Sequence, residues 1–126
     1  MEDRYLFKAK HFDEWNIGNI VKEPSGLYIR DIKENVMASI DDESTICQCT
    51  GLKDKNGNMI WENDIMVAHL DDAYPEDETY IRILWYESGF CSKEKGSEDI
   101  SPIDKFDQEH FEVCGNIFDN PEFIIK

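Results

Sequence analysis

The sequence predicts a mainly β protein, and three observations carry that reading. Short stretches alternate apolar and polar side chains, as in residues 4–10 (RYLFKAK) and 80–86 (YIRILWY). That alternation marks half-buried strands. Turn signals punctuate them at Pro24-Ser25-Gly26, Asn56-Gly57 and Glu87-Ser88-Gly89. In the second half a polar turn with Asp leads into an apolar strand. A strand with a Trp near its end, a Gly turn and an aromatic on the returning strand follow. Short strands wrapped in that way close as small SH3-like barrels, and closure removes exposed edges. The predicted architecture is a small SH3-like β-barrel over residues 46–126. An N-terminal β-meander over residues 1–45 precedes it, and a short helix or helical turns lie near the C-terminus. The whole chain, 1–126, reads as one domain.

The elements follow in order. In residues 4–10, Tyr5, Phe7 and Ala9 share one side of a strand. Residues 15–21 (WNIGNIV) give a second, with Trp15, Ile17 and Val21 on one face. The link 11–14 is short and polar enough for a hairpin. Residues 27–32 (LYIRDI) complete the meander. Residues 33–44 are expected as a loop or one extra strand, ending in the acidic cluster Asp41-Asp42-Glu43. A strand resumes at 46–50. Asn56-Gly57 favours positive φ at both positions, hence a tight reverse turn. Glu62-Asn63-Asp64 makes a second turn into the buried strand 65–70. Residues 71–79 (DDAYPEDET) form a loop. Residues 92–99 (SKEKGSED) are expected as a long, flexible loop tip. Ser101-Pro102 suggests a helix start with Pro in the first turn, and a helix over 102–108. Residues 111–117 form the last strand, with Phe111 and Val113 on one face. A helical turn is expected at 121–125.

Composition bounds the function. The chain has 126 residues, 13 Lys and Arg against 28 Asp and Glu, and a formal charge of −15. Hydrophobic residues at 40% and aromatics at 12% are too abundant for a disordered chain. The acidic balance disfavours direct nucleic-acid binding, which needs Lys and Arg on phosphates. It equally disfavours an anionic membrane surface. No apolar run approaches the roughly 20 residues of a membrane helix, and the N-terminus lacks a signal-peptide core. A soluble, cytoplasmic protein is expected. Cys47, Cys49, Cys91 and Cys114 are read as reduced, small buried groups. One C-x-C and two distant single cysteines are not the paired spacing of a zinc site.

Four blocks carry a resemblance. They are RYLFKAK with EWNIGNIV (4–10, 14–21), CTGLKDKNGNMIWENDIMV (49–67), ILWYESGF (83–90) and FEVCGNIFDNPEFI (111–124). In that order they resemble the YopX family of phage and prophage proteins, over nearly the whole chain. The resemblance implies a mainly β fold with an SH3-like barrel, a phage-related origin and a place in the bacterial host cytosol. It supplies no mechanism and no catalytic residue. The family usually has Glu-Gly-Asp where this chain has Glu62-Asn63-Asp64, and a Gly near Ala9.

The candidate sites are weighed against structural roles. Thr50 to Gly57 lacks the Gly-Lys-Ser/Thr of a phosphate loop and the Gly and closing Glu of a calcium loop, so it reads as a turn. Gly115-Asn116 and Asn120-Pro121 read as strand exit and turn capping. His11, His69 and His110 fit no catalytic motif. No catalytic residue, metal site or cofactor is assigned. A hydrolase would need three or more carboxylates and a His in one pocket. Residues 64–126 hold 16 acids against 5 bases, and residues 1–63 hold 12 against 8. The leading expectation is a non-enzymatic phage accessory protein that binds a host or phage protein, alone or as a homo-oligomer. Its acidic surface would comprise Asp71, Asp72, Glu76, Asp77, Glu78, Glu98 and Asp99. A basic, nucleic-acid-binding protein is the partner such a surface suits. The alternative is an oligomeric binder of a small nucleotide-like ligand, acting against host defence, with Trp61, Arg82 and Trp85 as ligand residues. It requires a basic, aromatic-lined cleft, to which Arg30, Lys53 or Lys55 could contribute. Trp61, just after the Asn56-Gly57 turn, is expected to be exposed.

Overall fold

A computed structural model of the protein describes residues 6–124. The chain divides into two compact units, Met1–Gly51 and Leu52–Lys126. Arg4 and Tyr5, expected to open the first strand, lie outside the described residues, as does Ile125.

In the first unit the expected meander forms. β1 (Phe7–His11), β2 (Glu14–Glu23) and β3 (Gly26–Asp31) pair antiparallel in sequence order. β4 (Met37–Ser39) is the extra strand allowed for within 33–44, and it pairs with β3. β5 (Cys47–Lys53) pairs with the other side of β1 and carries the chain across the division. His11 faces Glu14 across a two-residue turn whose residues both have positive φ, 52° at Phe12 and 67° at Asp13. That mirror-image turn matches the twist of paired strands. Left-handed backbone at a Phe costs about 1 kcal/mol or more, and the Phe12 N–H is held by Asp41 Oδ2 at 2.7 Å.

Trp15, Ile17 and Val21 do share a face, but β2 buries the opposite one at Gly18, and Ile17 is 37% exposed. Lys8 and Lys10 are the cross-strand partners of Ile17 and Trp15. Their ammonium groups lie 4.5 and 5.3 Å from the Trp15 ring centroid. Long lysine stems thus cover an apolar strip while their charge stays near water. On the buried face Gly18 is required, because a β-carbon there would collide with the Arg30 carbonyl oxygen. Ala9 and Ile29 are fully buried.

In the second unit β6 (Met59–Trp61) precedes a five-stranded sheet. That sheet comprises β7 (Asp64–Ala68), β8 (Thr79–Tyr86), β9 (Gly89–Glu94), β10 (Ile100–Pro102) and β11 (Glu112–Asn116), in the order β10-β9-β8-β7-β11. Its pairings are antiparallel. Ile60, Met66, Ala68, Ile81, Ile83 and Phe111 form the core, with Leu52, Ile103 and Val113 packed against it. Each large apolar side chain buried there stabilises by roughly 1.5–3 kcal/mol. On β8 the alternation is literal: Ile81 and Ile83 are buried, while Arg82 and Leu84 look the other way, half-buried.

Two expectations are corrected here. Residues 92–99 are not one long loop: β9 continues to Glu94, opposite Ile81, and a turn with Gly96 at φ 85° follows. Ser101-Pro102 does not start the helix. Both residues pair with β9, opposite Ser92 and Cys91, where an edge strand tolerates a proline's missing N–H. The helix α1 runs over Lys105–His110 and starts on Asp104 instead. Asp104 Oδ1 accepts from the Asp107 N–H at 2.9 Å, and Asp107 Oδ2 accepts from the Asp104 N–H at 3.2 Å. This reciprocal cap satisfies two otherwise orphan donors. A 3-10 turn spans Pro121–Phe123. No helix among the described residues is long and apolar enough to cross a membrane.

Candidate functional site

Two of the four sequence blocks, 49–67 and 111–124, are built around the buried polar side chains Asp54 and Asn116. Asp54 is buried, and its Oδ1 accepts from the N–H groups of Asn56 (2.9 Å) and Asn58 (2.8 Å). Its Oδ2 accepts from the N–H of Val113 on β11 at 2.8 Å. The carboxylate therefore ties the Asn56-Gly57 turn to a distant strand. In the other block, Asn116 Oδ1 accepts from the N–H groups of Phe118 and Asp119, both at 2.9 Å. Asn120 Oδ1 accepts from the Asn116 N–H at 3.2 Å. A β-carbon at Gly115 would strike the Asn120 side-chain oxygen.

The predicted acidic residues fall into two exposed segments. Asp71, Asp72, Glu76, Asp77 and Glu78 lie in the loop between β7 and β8. The loop is shaped from within: Asp71 Oδ1 accepts from the Ala73 N–H at 2.9 Å, and His69 Nδ1 lies 2.8 Å from the Pro75 carbonyl oxygen. Glu98 and Asp99 lie between β9 and β10. Only Asp99 of the seven lines a groove on the core side of β8 and β9, where Leu70 and Phe106 stand 42% and 44% exposed. The groove holds about 340 Å³, and Glu94, Asp99, Asp104 and Asp107 frame it. Burial pushes the Asp107 carboxyl up from its ordinary value; the Asp104 N–H opposes this and the Asp104 charge adds to it. Sequence reasoning missed Glu94, Asp104 and Asp107. The signal for the last two was the Asp-x-x-Asp spacing of a helix cap.

The structure does not bring Trp61, Arg82 and Trp85 together. Trp61 is buried rather than exposed, because the turn after it folds back: its N–H donates to Asp64 Oδ2 at 2.7 Å. Asn63 holds that turn at φ 73°, in the left-handed region a Gly would favour. Arg82 and Trp85 project to opposite faces of β8. Trp85 packs edge-to-face on Phe90, with centroids 4.8 Å apart. Arg82 Nη2 donates to Asn63 Oδ1 at 3.1 Å.

Cys47, Cys49 and Cys91 are buried and Cys114 is half-buried, none in a disulfide. Burial, then the charge of Glu112, pushes the Cys114 thiol up to about 11. Among the described residues no three His, Cys, Asp or Glu side chains converge as metal ligands.

A family described as YopX protein matches residues 8–124. Among solved structures, the chain is similar to protein EF1440 from Enterococcus faecalis, at 27% identity and a TM-score of 0.50. The match covers 85% of this chain and 74% of that one. No curated protein matches.

Proposed function

The chain belongs to the YopX family, and on that premise we propose that it is a non-enzymatic phage or prophage accessory protein. It acts in the host cytosol, alone or as a homo-oligomer, by holding a basic segment of a host or phage protein. The observation that carries this reading is the groove in which Glu94, Asp99, Asp104 and Asp107 surround exposed Leu70 and Phe106. Carboxylates around an apolar strip suit a partner with Lys or Arg flanking an apolar anchor. Such charge complementarity raises the association rate and fixes register. The acidic loop with Asp71, Asp72, Glu76, Asp77 and Glu78 begins beside Leu70 and extends the same field. The finer architecture is an SH3-like barrel in the second unit. Short antiparallel strands, the return of β11 to β7 and the bulge between Val113 and Gly115 support it.

The test is affinity capture from bacterial lysate at low and high salt, with wild type and a Glu94→Lys, Asp99→Lys variant side by side. Wild type should retain a basic protein at low salt and release it at high salt, and the variant should miss it. Retention of the same protein by both forms at high salt overturns the reading.

A further inference from the structure

A second cleft lies on the other face of β8 and β9, and bases outnumber acids in its lining. Arg82 and Lys93 are direct cross-strand partners. The Lys95 N–H donates to the Tyr80 carbonyl at 2.9 Å, which places Lys95 beside Tyr80 and next along the same face. Arg82, Lys93 and Lys95 thus gather on an open cleft of about 400 Å³, completed by Glu94, Gly96, Ser97, Glu98 and Ile124. Residues 52–126 hold 18 acids and only 7 bases, so three bases on one face are a concentration against the composition. Like charges directly opposite in a sheet destabilise it.

Internal partners do not balance this cluster. Among the described residues, the carboxylate within ion-pair distance is Glu98, 3.8 Å from Lys93, with its side chain 97% exposed. Glu94 also lines the cleft but lies at the opposite phase of β9 from Lys93. Arg82 is held by the neutral amide of Asn63, and its Nε is buried without a hydrogen-bond partner. Lys95 Nζ lies 5.7 Å from the Tyr80 ring centroid, and that ring stacks on Phe123 at 5.4 Å. One guanidinium and two ammonium groups in a small open cleft beside an aromatic stack match a phosphoryl group with an attached flat body. The cleft volume falls in the range of small-ligand sites.

We propose that this cleft binds a small ligand through a phosphate or pyrophosphate group held by Arg82, Lys93 and Lys95. It shares Glu94 and Ser97 with the rim of the acidic groove, but Arg82, Lys93 and Lys95 line this cleft alone, so loss of binding in their variant is separable from failure of the groove.

Calorimetric titration with inorganic pyrophosphate and with ADP tests it, on wild type and on a Lys93→Gln, Lys95→Gln variant whose melting curve matches wild type. The expected result is saturable binding that added salt weakens and that the variant loses by at least about tenfold, the scale of lost charge-assisted hydrogen bonds. Tighter binding of ADP than of pyrophosphate supports the proposal with a base contact added. Equal binding supports it with the phosphates alone. No saturable heat with either probe, or wild-type affinity in the variant, overturns it.

Discussion

Asp54 places one carboxylate on three backbone N–H groups, two in its own turn and one on β11. Asp54→Ala leaves three donors without their acceptor in a buried setting and should cost about 2–4 kcal/mol. Asp54→Asn, which keeps one acceptor oxygen, should cost less. Denaturant midpoints measure both, and equal midpoints for the two variants would show that packing rather than hydrogen bonding holds this turn. A second residue-scale effect concerns Tyr80, whose hydroxyl donates to Glu78 Oε1 at 2.7 Å. That bond favours the protonated phenol and, with burial, raises its pKa to about 12. A raised pKa in the folded state contributes stability that is present below the unfolded value and is lost as pH climbs through the folded one. The window is therefore about pH 10 to 12. In Glu78→Gln, NMR titration of the Tyr80 ring should show its midpoint move down toward the ordinary tyrosine value; an unmoved midpoint would assign the shift to burial.

Among the elements, β2 depends on close approach to β3 at Gly18. Gly18→Ala drives a methyl into the Arg30 carbonyl, a backbone atom that cannot swing aside, and should destabilise by about 2 kcal/mol or more. At α1, Asp104→Ala removes a reciprocal cap and should cost about 1 kcal/mol. Thermal melts of the two variants rank these contacts, and a Gly18→Ala protein as stable as wild type would mean the strands can separate there. These elements also explain what the sequence made legible. The β8 strand and the meander were readable because period-2 alternation and Pro or Gly turns are local. The start of α1 was misplaced because Ser101-Pro102 resembles a helix entry, and only pairing with β9 makes it an edge strand. Trp61 was misjudged for a similar reason. Its burial follows from Asp64 closing the turn, while Asn63 takes the left-handed backbone without a glycine to announce it. The basic cleft was invisible beyond Arg82, since the register of β8 on β9 decides that Lys93 and Lys95 join it.

At the scale of the molecule, a charge of −15 opposes folding. Like charges on one compact chain repel, and salt relieves that repulsion. If Asp71, Asp72, Glu76 and Asp77 only keep the surface solvated, replacing them with Asn and Gln should raise the melting temperature at low salt and change nothing else. If they extend the field of the acidic groove, the same variant should gain roughly 3–5 °C at low salt while also losing capture of the basic partner. Added salt should then bring the melting temperatures of variant and wild type together. Stability that rises as binding falls is the mark of charge kept for a partner rather than for the fold. A variant that gains stability and still captures the partner fully would confine recognition to Glu94, Asp99, Asp104 and Asp107 in the groove itself.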